Sequence, residues 1–405
     1  MFSISKKSIV SLLCFFLIPI IGFVLSIISL NSKKNNLLSY IIISFFFAYI
    51  FIYIPPLGDL YRHYNSFLNI SHLSFTEKDF LLHVYFALFH ALNLPFYFIP
   101  GSVVFLSTLL ILLSFSLLIK NQRISISYEK YILSHVIILL NINYFTIASG
   151  LRYGLAISIV IYAFSHYITN KKKTTFIILF LISILLHFSM LFFILPFFSS
   201  RIIKIKRISF FFICIISFIL SSYSYIIFEI ISNHIQYGHS YINGKWSSGE
   251  DKNIYGKIRI IINQVPFFLM LFFFSFFSKR KLTPSLNMER NIIFWLSIFL
   301  LLTHFSFTIF TRFSILPTFL IIFYLLKLNS FKISYIYGLI VIFSINFMVD
   351  SLYGYRRQVL LGEMWRPLYL SPIMTIDYSD KHYRTLLSQV DKDGFWIKDP
   401  VAKNN

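Results

Sequence analysis

The sequence predicts an all-α, polytopic integral membrane protein with roughly ten to twelve transmembrane or half-membrane helices. Three observations lead there. Of 405 residues, 57% are hydrophobic and 13% are charged, against about 25% charged in soluble domains; the mean hydropathy is +0.76. Apolar runs separated by short polar breaks recur from Ser8 to Val349. The basic residues gather in those breaks, as they do when a bilayer sorts loops by charge.

Ser8–Leu30 is too long for a signal-peptide core and has no small-residue cleavage site after it, which predicts a retained span. Further spans are expected at Leu37–Pro56, Gly101–Ile119, Lys130–Ala148, Arg152–Thr169, Ser209–Ile231, Ile260–Ser278, Asn291–Phe310, Arg312–Leu326 and Ile333–Val349. Phe80–Pro100 carries His83, His90, Asn93 and Pro95, too polar and broken for a full crossing. Thr174–Ser200 is too long for one helix and short for two, at roughly 20 residues per crossing. Its polar interruption, His187-Phe188-Ser189, predicts two short helices meeting there. Broken helices survive at membrane depth only when buried in protein or lining a wet cavity.

The domain organisation follows. Residues 1–350 form a multi-pass membrane domain with outward loops at 57–100 and 232–259; residues 351–405 form a polar extracytoplasmic tail. The clusters Lys33-Lys34, Lys120 to Lys130, Lys171-Lys172-Lys173, Arg201 to Arg207, Lys279-Arg280-Lys281 and Lys327 to Lys332 can all face the cytoplasm together. That topology puts both termini outside and leaves Lys6-Lys7 on the wrong side. The formal charge of +21 is therefore a loop property, and no nucleic-acid partner is expected. Cys14 and Cys214 lie inside apolar runs and read as packing residues; no His/Cys ligand set implies a metal, and no cofactor is expected.

Ionisable groups at membrane depth are costly and usually functional. Asp59 opens Gly58-Asp59-Leu60-Tyr61-Arg62-His63; Arg152 begins a span, His187 sits mid-run, and Arg312 follows a turn. The bland readings are a turn residue for Asp59, interfacial anchors for the arginines and a packing residue for His187. Their coincidence on one non-basic face argues against those readings. Arg152 and Arg312, with Arg259 at the end of the second outward loop, suit an anion, because a guanidinium donates two parallel hydrogen bonds and stays charged. Two arginines would neutralise a pyrophosphate and stabilise the charge that grows as it leaves. Asp59 or His187 would act as base toward a sugar hydroxyl; residue type alone leaves that choice open. Aromatic residues make up 20%, mostly packing and interfacial belt.

The block Ser149-Gly150-Leu151-Arg152-Tyr153-Gly154-Leu155-Ala156, an apolar run, Lys171-Lys172-Lys173, another apolar run and His187-Phe188-Ser189 resembles the EpsG/Wzy-type bacterial polysaccharide polymerases. Asp59 ahead of Tyr61 and Tyr64, and Arg312 near a span start, match the same pattern. Tyr153 stands where a Gln is common, and Ser183 where an Ala precedes the His. The resemblance implies a GT-C-like membrane glycosyltransferase in the bacterial cytoplasmic (inner) membrane. It would polymerise undecaprenyl-pyrophosphate-linked repeat units of O-antigen, capsule or exopolysaccharide at the outer face, moving the growing glycan onto a sugar hydroxyl of the next repeat. Implied partners are the lipid-linked donor and acceptor, the bilayer, a chain-length regulator and a flippase. The rival readings are a flippase or transporter of lipid-linked sugars, for which paired broken helices are lacking, a membrane acyltransferase using His234 and His239, and an O-antigen ligase-like enzyme.

Overall fold

The computed structural model describes the backbone of residues 6–69, 79–121, 126–170, 173–235, 254–277, 284–373 and 380–397. Among the described residues the regular structure is helical, apart from one bridge between Val390 and Trp396. Helices are what a bilayer demands, because lipid offers the backbone no hydrogen bonds. Six helices are long and apolar enough to cross a membrane: Phe98–Lys120, Leu151–Thr169, Arg207–Ile230, Pro284–Leu302, Phe307–Lys327 and Ile333–Gly354. Shorter apolar helices accompany them, and the protein is a multi-pass membrane protein. Hydroxyls within the spans bond back to the preceding turn, as Ser158 does to the Gly154 carbonyl (2.8 Å) and Ser165 to Ile161 (2.9 Å). That satisfies hydroxyls buried among the helices.

The chain forms two compact units. The first holds residues 1–167, 171–190 and 351–405; the second holds 168–170 and 191–350. In the first, α1 (Lys6–Leu17) and α2 (Pro19–Ile28) precede α3 (Leu37–Ile52), α4 (Asp59–Leu68), α5 (Phe80–Ala91) and α6 (Phe98–Asn121). Then follow α7 (Tyr128–Leu140), α8 (Tyr144–Ser149), α9 (Leu151–Asn170) and α10 (Lys173–Leu186). A Cβ on Gly101 would lie 2.8 Å from the Ala48 carbonyl oxygen; the bare glycine lets α3 and α6 approach closely. At the α3 N-terminus, Asn36 donates to the Tyr131 hydroxyl (2.9 Å), which is 2.9 Å from that of Tyr40. Tyr40 in turn meets His135 Nε2 at 3.0 Å, and His135 Nδ1 lies 2.8 Å from the Tyr131 carbonyl. Nδ1 is thus the donor and Nε2 accepts from Tyr40, and the buried network closes on itself.

In the first unit, two expected spans are corrected. Ser8–Leu30 is not one crossing. Ile18 is extended (φ −139°, ψ 101°) ahead of Pro19, because a residue before proline is pushed out of the helical region. The run folds into a hairpin: Ser8 at its start and Ser29 at its end both bond the Ser39 hydroxyl, at 3.0 and 2.8 Å. Each arm is about 15–18 Å long. Lys6-Lys7 therefore return to the Lys33-Lys34 end. Lys130–Ala148 is likewise two helices. Asn141 ends α7, and the Asn143 side chain accepts from the Thr146 amide (2.9 Å) to cap α8, a bond that favours a new start over continuation. Thr174–Ser200 breaks as expected: α10 stops at Leu186, His187 is non-helical, and a 3-10 turn covers Phe188–Phe193.

The tail packs within the first unit. Tyr49 donates to the Leu370 carbonyl (3.2 Å), and Tyr355 stacks on Phe145 with centroids 4.6 Å apart. A Cβ on Gly362 would fall 2.2 Å from the Tyr53 carbonyl oxygen. The Gly58 amide donates to Gly394, whose φ of +84° an L side chain would strain.

In the second unit, α11 (Ile194–Ile202) and α12 (Arg207–Ile235) pack against the Pro284–Leu302 helix. Asn291 fastens their connection: its amide donates to the Ser200 and Ile203 carbonyls (2.5 and 3.0 Å) and accepts from the Ile205 amide (3.1 Å). Nearby, Lys327 donates to Glu289, both side chains fully buried. The chain turns at 303–306, and the last helices are Phe307–Lys327 and Ile333–Met348. Arg312 was expected to open its span, but the helix starts five residues earlier, leaving Arg312 inside it and half-buried.

Candidate active site

In the first unit the N-terminus of α9, the break after α10 and the start of α5 converge on one carboxylate. Gly150 and Gly154 make this possible. A Cβ on Gly154 would sit 2.6 Å from Ile147 Cα, and one on Gly150 2.9 Å from the Thr146 carbonyl. With both bare, α9 starts hard against α8 and Arg152 falls in its first turn. A cation there opposes the helix dipole, so Arg152 needs an anion close by. That anion is Asp79. Its Oδ2 takes a hydrogen bond from an Arg152 terminal nitrogen, and its Oδ1 lies 3.3 Å from His187 Nδ1.

Asp79 is 8% exposed at the side chain, His187 16% and Arg152 42%. The carboxylate is buried while the guanidinium still reaches the surface. Tyr153, next to Arg152, sets its ring edge-on to the His187 imidazole, with centroids 5.6 Å apart and planes at 89°. The backbone breaks at His187, whose amide still bonds Ser183 (2.9 Å) while its carbonyl receives the Met190 amide (3.1 Å). This brackets the imidazole between two helical pieces.

The electrostatics are mutual. Burial works to raise the pKa of Asp79, but the hydrogen bond to His187 and the Arg152 charge outweigh it, and the net shift is downward. Asp79 is ionised at neutral pH. His63 on α4 feels the same charges. Burial, then Arg152 and Arg62, push its pKa down to about 3, so its imidazole is neutral beside the guanidinium. Its ring meets Phe86 edge-on, with centroids 6.4 Å apart.

The expected site residues divide. Arg152 and His187 are brought together. Asp59 is instead half-buried and ion-paired with the exposed Arg62, one turn along α4. Arg312 belongs to the second unit, where its neighbour Phe313 stacks on Phe192 at 4.2 Å. Arg259 lies on the Ile254–Phe277 helix, and its side chain is outside the described residues. The sequence reading missed Asp79 and His63. Asp79 ends the polar stretch Glu77-Lys78-Asp79 ahead of an apolar helix, indistinguishable there from an ordinary N-cap. Among the described residues no group of three or more His, Cys, Asp or Glu is arranged to hold a metal ion.

The fold and site thus define a multi-pass membrane protein with an arginine–carboxylate–histidine cluster at helix ends. The family model of the EpsG family matches residues 57–360 of the 405. The chain belongs to the EpsG family, which carries a polysaccharide-polymerase role in general terms. The match takes in Asp59, Asp79, Arg152, His187, Arg259 and Arg312, and leaves out α1 to α3 and residues 361–405. No curated protein and no solved structure matches the chain.

Proposed function

We propose that the protein is a membrane glycosyltransferase that polymerises undecaprenyl-pyrophosphate-linked oligosaccharide repeats at the outer face of the bacterial cytoplasmic membrane. The observation that carries this reading is the Asp79 carboxylate shared between Arg152 and His187. A carboxylate on Nδ1 fixes the imidazole tautomer and makes Nε2 the proton acceptor. In the proposed step His187 Nε2 takes the proton of the acceptor sugar hydroxyl as its oxygen attacks the anomeric carbon of the donor glycan. The bond from that carbon to the diphosphate oxygen breaks, and its electron pair leaves with the lipid diphosphate. Arg152 stabilises the charge gathering there. The hydrophobic lipid stays in the bilayer, and the reacting atoms meet at the helix ends.

The carboxylate partner favours His187 as base over Asp59, whose carboxylate is engaged by Arg62. Arg312 and Arg259 are proposed as further diphosphate ligands on their sequence pattern alone. Donor and acceptor lipids are the substrates; a flippase supplying them and a chain-length regulator are the proposed partners.

The test is complementation of a strain lacking the gene. Arg152→Ala and His187→Ala should each leave the protein folded in the membrane, and the product should stop at a single repeat instead of a ladder. A loss of at least a hundredfold in polymerisation is expected for each. A full ladder from either variant removes that residue from the mechanism.

A further inference from the structure

The Asp79 side chain stands where a different bond would be expected of it. Asp79 occupies the N-cap position of α5, where an aspartate ordinarily accepts from an amide of the first turn. Here it makes no such bond. Its backbone sits in the left-handed region (φ 61°, ψ 40°), tolerable for Asp but unfavourable for most residues. The chain forgoes a cap and accepts an uncommon conformation, and in return a carboxylate is held against Arg152. Local preferences yielding in this way mark a functional position.

That carboxylate is also a chemical match to what Arg152 is proposed to bind. A carboxylate oxygen and a phosphate oxygen use the same guanidinium donors. Arg152 keeps 42% of its side chain exposed while Asp79 keeps 8%. The pair is therefore open on the arginine side, from which an anion can approach, and closed on the aspartate side.

We infer that Asp79 is an internal stand-in for the diphosphate: it occupies Arg152 until lipid-linked donor arrives, then yields the guanidinium and keeps His187. This deepens, and rests on, the reading of Arg152 as the diphosphate ligand. Two consequences follow from charge alone. Before donor binds, Asp79 is shared, and the Arg152 charge diminishes the negative field at His187. Once the diphosphate takes Arg152, the whole carboxylate charge acts on His187 and strengthens it as a base. Base strength is thereby coupled to donor occupancy. An empty site holds a weaker base, which discourages transfer of glycan to water or to the wrong hydroxyl. Asp79 is a positioning residue in this scheme, acting on substrate through Arg152 and His187.

The scheme predicts effects of opposite sign, which a merely structural aspartate would not give. Removing the competing charge should tighten diphosphate binding, while removing the partner of His187 should slow turnover. The experiment measures binding of farnesyl diphosphate to the purified full chain in detergent, and polymerisation of lipid-linked repeats by the same samples. Asp79→Asn should bind farnesyl diphosphate about tenfold tighter than the unaltered protein, a ratio equivalent to 1.4 kcal/mol, and lose about a hundredfold in polymerisation. Asp79→Glu, which keeps the charge, should stay within about threefold of the unaltered affinity, and guards against misfolding of the amide variant. Weaker or unchanged binding by Asp79→Asn, with melting intact, overturns the stand-in. Should Asp79→Asn fail to fold, Asp79→Ser, which also removes the charge, takes its place: tenfold tighter binding upholds the stand-in, and weaker or unchanged binding overturns it. Arg152→Ala separates the two ideas. If it abolishes farnesyl diphosphate binding while Asp79→Asn does not tighten it, only the stand-in falls. If Arg152→Ala binds normally, the diphosphate reading itself falls.

Discussion

Two ion pairs of the same chemistry occur in opposite surroundings. Arg152–Asp79 in the first unit is half-open, with the cation 42% exposed and the carboxylate shared with His187. Lys327–Glu289 in the second unit is sealed, with both side chains at 0%. A sealed pair gains strong attraction but has given up the hydration of both ions, so its net worth is small and its rupture severe. A half-open pair keeps its cation hydrated and can change partners at little cost. Lys327 is a compact ammonium suited to a point contact, whereas Arg152 is a planar fork with donors left over for a second anion. The sealed pair joins helices; the open one is placed to react.

The largest effect should come from breaking the sealed pair. Lys327→Ala strands Glu289 in a dry interior and should destabilise the second unit by about 3–5 kcal/mol, seen as loss of monodisperse protein in detergent. The double change Lys327→Met with Glu289→Leu should recover most of that loss. A single variant that melts like the parent would make the pair dispensable and end the contrast. Arg152→Ala, by comparison, should leave the melting temperature nearly unchanged while polymerisation collapses.

A smaller effect is expected at Asn291, whose amide serves three backbone groups of the α11–α12 connection. Asn291→Ala orphans them and should cost about 1–3 kcal/mol, readable as a lower melting temperature and as proteolysis between Arg201 and Arg207. Unchanged protease resistance would show that the connection holds itself.

The smallest effect concerns pH. The folded pKa of His63 is depressed to about 3, below the unfolded value near 6.5. As pH falls from about 6.5 toward 3 the unfolded chain binds a proton the folded one refuses, so stability is present above this window and lost within it. His63→Gln should lose stability less steeply with acid over that window, by up to about 1.4 kcal/mol per pH unit. Asp79 adds the carboxylate counterpart. Its pKa is depressed, so its contribution is present above the ordinary carboxylate range and is lost at lower pH. Identical acid profiles for His63→Gln and the parent would show that burial and the Arg152 charge do not keep His63 neutral.

Part of this was readable beforehand, for identifiable reasons. Arg152 stood out because a cation at the start of an apolar run is costly in lipid and fell on the non-basic face. His187 stood out because Thr174–Ser200 has the wrong length for any whole number of crossings. Asp79 did not, because an acidic residue before a helix is ordinary until its partner is known. Asp59 stood out for its position after a span, yet its neighbour Arg62 claims it across one helical turn. The hairpin at Ile18-Pro19 was hidden as well. A proline in an apolar run is compatible with a kinked span, and only the meeting of Ser8 and Ser29 on Ser39 distinguishes a fold-back.

Hydropathy, charge placement and run length are properties of the chain in one dimension. They sufficed to determine a multi-pass helical membrane protein, because lipid filters segments one at a time. Which ion meets which is a different matter. Arg152 finds its carboxylate 73 positions away and His187 finds the same one 108 positions away. Such pairings depend on helix packing and on glycines that let backbones touch, and they arise only once the helices are assembled in three dimensions.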